Sequence, residues 1–240
     1  MPGSEAWPGA QRRDPPASSA TWVVRAALAQ WLREEANRLR SAGLRARILD
    51  VGCGPKPYYP FFADVAAEYT GLDVVPTPSA DVVGFVEEMP LESGRFDLVL
   101  CTQVLEHCDD PVKAVSELYR VTAPGGRVLV STHGVMPYHP SPTDYWRWTH
   151  TGLEKLFVEN GAWASVRVTP SSGTTACLGM LISIYLDLAF RRIGLGVAAK
   201  PIVAAINTVA MSIDGHSASL REPGPSGLFA NFHVVAEAPR

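Results

Sequence analysis

Apolar positions recur along this chain at two spacings. From Thr21 onward, Trp22, Val23, Ala26, Ala27, Trp31 and Leu39 alternate with Arg33, Glu34, Glu35, Arg38 and Arg40 at helical intervals. That spacing predicts an amphipathic helix closed near Gly43. Short apolar runs then predict strands over 48–51, 69–74, 81–85, 96–101, 127–132, 165–169 and 229–237. Asp110 and Pro111 open a helix as N-cap and first helical residue, with Val112, Val115, Leu118 and Tyr119 as its stripe, ending before 124–126. Thr149 or Thr151 caps another through Leu153, Leu156 and Phe157, ending at Gly161. Such alternation predicts an α/β fold, a doubly wound, mostly parallel sheet with helices on both faces. Ligands bind such sheets at the carboxyl ends of the strands, near the switch point.

Two segments depart from the alternation. Residues 1–20, rich in Pro, Gly, Ser and Ala, read as a flexible tail ahead of a single domain over 21–240. A dense apolar block runs from Ala176 to Ile213, inside a mainly helical insertion at 171–228. Its first run, 177–190, is short for a membrane span and contains Asp187; its second, 195–213, is interrupted by Lys200 and Pro201. No transmembrane segment is therefore expected. Three roles suit the block: completing an acceptor pocket, forming a homodimer interface, or peripheral membrane contact with Arg191 and Arg192 at the headgroups. The first two together are the preferred reading.

Composition narrows the classes. Twenty-one Lys+Arg against 24 Asp+Glu give a formal charge of −3, which argues against nucleic acid as the main partner. A hydrophobic share of 47% excludes disorder over most of the chain. Cys53, Cys101, Cys108 and Cys177 form no CxxC pair and no Cys/His ligand spacing, so neither a metal nor a disulfide framework is expected. A reducing cytoplasm is the matching compartment.

The chemistry starts at 48–57, where a strand runs into Gly52-Cys53-Gly54. Glycines permit a tight turn and close ligand approach, and the following amides offer hydrogen bonds to a polar group. Asp73, 19 residues after Gly54, stands where a carboxylate accepts ribose hydroxyls. Pro57 occupies the place of the last glycine of a dinucleotide-binding turn, which counts against a nicotinamide-dependent sugar-modifying enzyme.

With Asp50 in front, Asp50-Val51-Gly52-Cys53-Gly54 resembles the first motif of the class I S-adenosylmethionine-dependent methyltransferases. The stretches at 69–74, 87–90, 96–107, 109–111 and 118–130 resemble that family's later motifs in order, over roughly 47–170, and the subgroup is the type 11 small-molecule group. The resemblance implies a Rossmann-like seven-stranded sheet with an antiparallel last strand, the helical insertion preceding that strand. It also implies S-adenosylmethionine as cofactor. Asp50, Gly52, Cys53 and Gly54 would line the methionine end and Asp73 the ribose. Val74, Glu88 and Met89 would border the adenine, with Gln103 and Leu105 closing from the fourth strand. Two departures stand out: Lys56 replaces the third glycine, and Gly84-Phe85-Val86 lacks the acid that usually meets the adenine amine, leaving Glu87 or Glu88 for that role.

Methyl transfer to a hydroxyl benefits from a base near neutral pKa. His133, at the end of the fifth strand, is the first candidate and His107 the second, although His107 also suits a turn-pinning role. His139, Asp144, Tyr145, Trp146 and Arg147 form an aromatic, polar loop suited to an acceptor wall, or equally to packing around an Asp144–Arg147 salt bridge. The expected activity is O-methylation of a small-molecule or glycan/natural-product hydroxyl. An N-methyltransferase and a non-catalytic binding or membrane-associated scaffold are the alternatives.

Overall fold

The computed structural model describes residues 7–140 and 142–240. A short helix α1 (Ala10–Arg13) leads to α2 (Trp22–Ser41), which buries Val24, Leu28, Leu32, Ala36 and Leu39. Gly43, at φ +63°, ends it, and the Leu44 N–H bonds back to the Leu39 carbonyl. Then follow β1 (Ala46–Val51), α3 (Tyr59–Phe62), β2 (Ala66–Asp73), β3 (Val82–Val83) and β4 (Phe96–Thr102). After them come α4 (Pro111–Val121), β5 (Thr122–His133), α5 (His150–Glu159) and β6 (Ser165–Pro170). The chain ends with α6 (Thr174–Arg192), α7 (Gly196–Gly215) and β7 (Asn231–Glu237). The strands form one sheet in the order β3-β2-β1-β4-β5-β7-β6, with β7 antiparallel to both its neighbours. The order reverses between β1 and β4, so the crevice for a ligand opens beyond the ends of those strands.

Alternation across the pleat divides the core in two. Leu49, Val51, Val99, Val128 and Val130 pack beneath α4 and α5. Ile48, Leu98, Leu100 and Leu129 pack beneath α2 and α3. Each such side chain contributes about 1.5–3 kcal/mol by leaving water. Glu35 of α2 is buried and joins Arg38 to Arg127 of β5, at 2.6 and 2.9 Å. The Asp110 carboxylate caps α4 by accepting from the Lys113 N–H, and the Thr149 hydroxyl caps α5 by accepting from Gly152.

Several expectations are corrected. Residues 7–20 are not a flexible tail; the expectation for 1–6 lies outside the described residues. Arg13 is buried and donates to the carbonyls of Pro57 (2.6 Å), Pro8 (2.7 Å) and Trp7 (2.9 Å). The Trp7 indole donates to the Lys56 carbonyl, and Asn207 of α7 donates to those of Ala17 and Ser19. β5 begins at Thr122, ahead of the Pro124-Gly125-Gly126 stretch expected to separate helix from strand. The third strand shrinks to two residues.

The apolar block forms two unbroken helices of 19 and 20 residues, each long and apolar enough to cross a membrane. Pro201 does not break α7. The carbonyl it leaves unbonded belongs to Val197, a residue that is 77% exposed. The pair closes on itself: the buried Asp214, late in α7, accepts from the N–H groups of Thr175 (3.1 Å) and Ala176 (2.9 Å), the first turn of α6.

Candidate active site

β1 delivers the chain into the glycine turn. Gly52 sits at φ +65°, and a Cβ there would lie 2.3 Å from Val104 Cγ2, so only glycine fits. Gly54, at φ +47°, faces open space. Its N–H donates to Asp73 Oδ2 (2.9 Å), while Asp73 Oδ1 accepts from the Val75 N–H (3.0 Å). Lys56 holds the third-glycine position in the left-handed region, at φ +50°. That conformation costs a non-glycine residue about 1–2 kcal/mol. The Lys56 ammonium is offset by Asp81 at 2.5 Å, and its carbonyl is held by Trp7.

The turn opens on a cavity of about 610 Å³, within the range of small-molecule sites. Of the residues expected at a cofactor, Gly52, Gly54, Asp73, Val74 and Gln103 lie in its wall. Gln103 adopts φ +58°, fixed by its N–H to the Ser131 carbonyl and by its amide to Ser131 Oγ and Asn231 Oδ1. Five others do not line the cavity. Asp50 points to the opposite pleat, buried, and accepts from the Tyr69 hydroxyl at 2.8 Å; burial pushes its carboxyl up to about 7. Cys53 is buried behind the turn, its thiol pushed up to about 12 by burial. Met89 and Leu105 belong to the core, and their neighbours Glu87 and Val104 reach the wall in their place. Glu88 is exposed and likewise outside the wall.

Among the acceptor candidates, His107, His133, His139 and Tyr145 line the cavity, whereas Asp144, Trp146 and Arg147 do not. The Asp144 side chain is nearly inaccessible. It accepts from Arg147 at 2.5 and 2.6 Å and from the His139 N–H, and the guanidinium holds its carboxyl well below the usual range. Arg147 also donates to the carbonyls of Met136 and Pro137, and the Trp146 indole donates to that of Cys108. These three residues brace the loop rather than face an acceptor. His107 Nδ1 bonds the Thr143 carbonyl, which pins the same loop from the other side.

Three wall residues carried no recognised signal. Arg12 and Arg25 reach the cavity from the N-terminal segment and α2. Glu106 is fully buried; its Oε2 accepts from the Thr132 hydroxyl at 2.8 Å and its Oε1 lies 3.3 Å from His133 Nε2. Glu106 Oε1 and His133 Nδ1 are both buried without a hydrogen-bond partner. Burial raises the Glu106 carboxyl to about 7 and lowers the His133 imidazole to about 4, so each leans toward its uncharged form. A leucine–glutamate–histidine stretch names the residues without showing that the glutamate, not only the histidine, turns inward.

Residues 49–130 match the family described as a methyltransferase domain. The malonyl-[acyl-carrier protein] O-methyltransferase of Enterobacter lignolyticus is 36% identical over 97 residues, 36% of this chain and 39% of that protein. A ubiquinone biosynthesis O-methyltransferase of Pseudomonas paraeruginosa is 34% identical over 110 residues, 38% of this chain and 46% of its own. The chain thus spans less than half the length of these curated relatives. Among solved structures, the [4+2]-cyclase SpnF superposes with a TM-score of 0.54 at 18% identity, over 88% of this chain and 81% of that one. The 1,6-didemethyltoxoflavin-N1-methyltransferase of Burkholderia thailandensis gives 0.51 at 15%, over 87% and 78%; both likenesses concern the fold. Residues 49–130 thus resemble a class I S-adenosylmethionine-dependent methyltransferase domain of the type 11 group.

The wall suits that family's cofactor. Asp73 keeps oxygen lone pairs free for a ribose, and Val74 and Phe85, 44% and 66% exposed, present an apolar slot beside it. Glu87 stands at the same edge, its Oε1 already accepting from the Asp109 N–H.

Proposed function

We propose that the chain is an S-adenosylmethionine-dependent methyltransferase that methylates an oxygen of a small-molecule acceptor, a hydroxyl of a natural product or glycan being the class the wall suits. The observation that carries it is one cavity shared by Asp73, at the end of β2, and the uncharged His133, at the end of β5. Three strand spacings, about 14 Å, separate those two strand ends. Both curated relatives cited are named O-methyltransferases, which supports oxygen over nitrogen.

When bound, S-adenosylmethionine supplies a methyl group activated by a sulfonium. The residues of this chain hold and align. Asp73 would accept the ribose hydroxyls, and Val74 and Phe85 would enclose the adenine. Arg12 and Arg25 would neutralise the amino-acid carboxylate. At the acceptor end, His133, which lines the cavity, takes the hydroxyl proton, and Glu106 stabilises the resulting imidazolium across 3.3 Å. Four free cysteines, all buried, suit the reducing cytoplasm in which we place the protein.

Titration calorimetry with S-adenosylhomocysteine tests the reading. The wild type is expected to bind, and Asp73→Ala to bind at least about tenfold more weakly, since two hydrogen bonds to a charged group are lost. Equal affinity of the two proteins, or no binding by either, overturns it in favour of a scaffold.

A further inference from the structure

The α6–α7 hairpin contributes no described residue to the cavity wall, so it does not complete the acceptor pocket. Its base is anchored: Ala176, Cys177 and Met180 pack on Val23 and Val24 of α2, and Ser183 bonds Asn207. Its far half is not. Between Tyr185 and Ile202 only Ala199 is buried. The exposed side chains there include Tyr185, Leu188, Ile193, Leu195, Val197 and Ile202, carried by both helices and the turn between them. An interface with another protein subunit occupies one face; apolar side chains exposed on both helices and on the turn, with basic ones among them, match the boundary of a lipid bilayer.

Charge identifies that solvent further. The same tip carries Arg191, Arg192 and Lys200 against one carboxylate, Asp187, which pairs with Arg191 at 2.7 Å. A cationic tip on a chain of formal charge −3 concentrates positive potential at its most apolar point. Long basic side chains reach phosphate headgroups while their stems and aliphatic neighbours enter the acyl boundary. Crossing would carry those cations through hydrocarbon, so the hairpin lies in the interface.

We propose that the α6–α7 hairpin seats this protein on an anionic lipid bilayer, its tip embedded at the headgroup boundary. The seat also orients the cavity. Val24 of α2 both lines the cavity and packs on the hairpin base, so a hairpin held at the bilayer brings the cavity mouth to a fixed position beside it.

The test is flotation of the full chain with phosphatidylcholine vesicles, with and without phosphatidylglycerol. The wild type is expected to float with the anionic vesicles and far less with the neutral ones. Ile193→Glu combined with Leu195→Glu should abolish flotation. Arg191→Ser and Arg192→Ser should each lower the anionic partition roughly fivefold. S-adenosylhomocysteine affinity, measured on every variant, reports folding and is expected to stay unchanged, which separates this test from the methyltransferase reading. No flotation of the wild type overturns the proposal. So does sedimentation showing a vesicle-independent dimer that the Glu variants convert to monomer, because the tip would then be covered by a second copy.

Discussion

His133 Nε2 faces Glu106 Oε1 at 3.3 Å, with both side chains closed to solvent and, among the described residues, no lysine or arginine hydrogen-bonded to either. Two groups this close titrate as a unit. The carboxyl raised to about 7 must lose its proton before it can support an imidazolium, so turnover is expected to rise as pH increases through about 7. Glu106→Gln keeps a partner for the Thr132 hydroxyl and removes the charge. It should flatten that pH–rate profile and lower kcat, while His133→Asn lowers kcat about a hundredfold or more. An unaltered profile in Glu106→Gln would show that the pair takes no part in moving the proton.

Asp50 places a second signature on pH, this time on stability. Its folded pKa is raised to about 7 against an ordinary 3.8, so between those values the unfolded chain has released a proton that the folded chain retains. Stability from this group is complete below about pH 4 and is lost as pH rises toward 7. Asp50→Asn retains an acceptor for the Tyr69 hydroxyl without the ionisation. Its melting temperature should match the wild type near pH 4 and exceed it by several degrees near pH 8, as read by thermal scans across that range.

Gly52→Ala should cost about 1–3 kcal/mol, from a strained left-handed φ together with the 2.3 Å approach to Val104. Gly54→Ala meets no neighbouring atom, and its cost is confined to the backbone. If the cofactor occupies that open space, Gly54→Ala weakens S-adenosylhomocysteine binding more than it lowers the melting temperature. Paired calorimetry and thermal scans on the two variants distinguish these effects.

Arg13→Ala leaves the Pro57 carbonyl without its partner and unfastens the segment bearing Arg12. Protease cleavage within 7–20 should accelerate, and S-adenosylhomocysteine affinity should fall although Arg13 is not a wall residue. Cleavage at the wild-type rate would mean that Trp7, the Asp14–Arg33 ion pair and Asn207 hold the segment without Arg13.

Much of this architecture was legible because local chemistry and tertiary fold agree. Asp110 caps and Pro111 starts α4 as their residue types dictate, and the apolar runs of β1, β4 and β5 are long enough to be unambiguous. Local composition misled where distant groups decide. The Pro- and Ser-rich start looks unstructured until Pro57, Lys56 and Asn207 supply its hydrogen-bond partners. Pro201 reads as a break, yet α7 runs through it, and the carbonyl it leaves open belongs to the exposed Val197. At the site, the motif located the turn and Asp73. Side-chain direction within 87–89 and 104–106 depended on which neighbour the core claimed, and Met89 and Leu105 went inward while Glu87 and Val104 reached the cavity.

The fastening of residues 7–20 has a bearing on how the chain assembles. Its anchors are Pro57, 44 positions beyond Arg13, and Asn207, 190 beyond Ala17. This segment is made before its anchors and is therefore fastened late, since closing loops of that length must await Pro57 and then α7. A ligand site that borrows Arg12 from this segment is completed only once α7 has been made. Nascent fragments ending before α7 would hold the glycine turn and Asp73 yet lack the clasp that Asn207 provides.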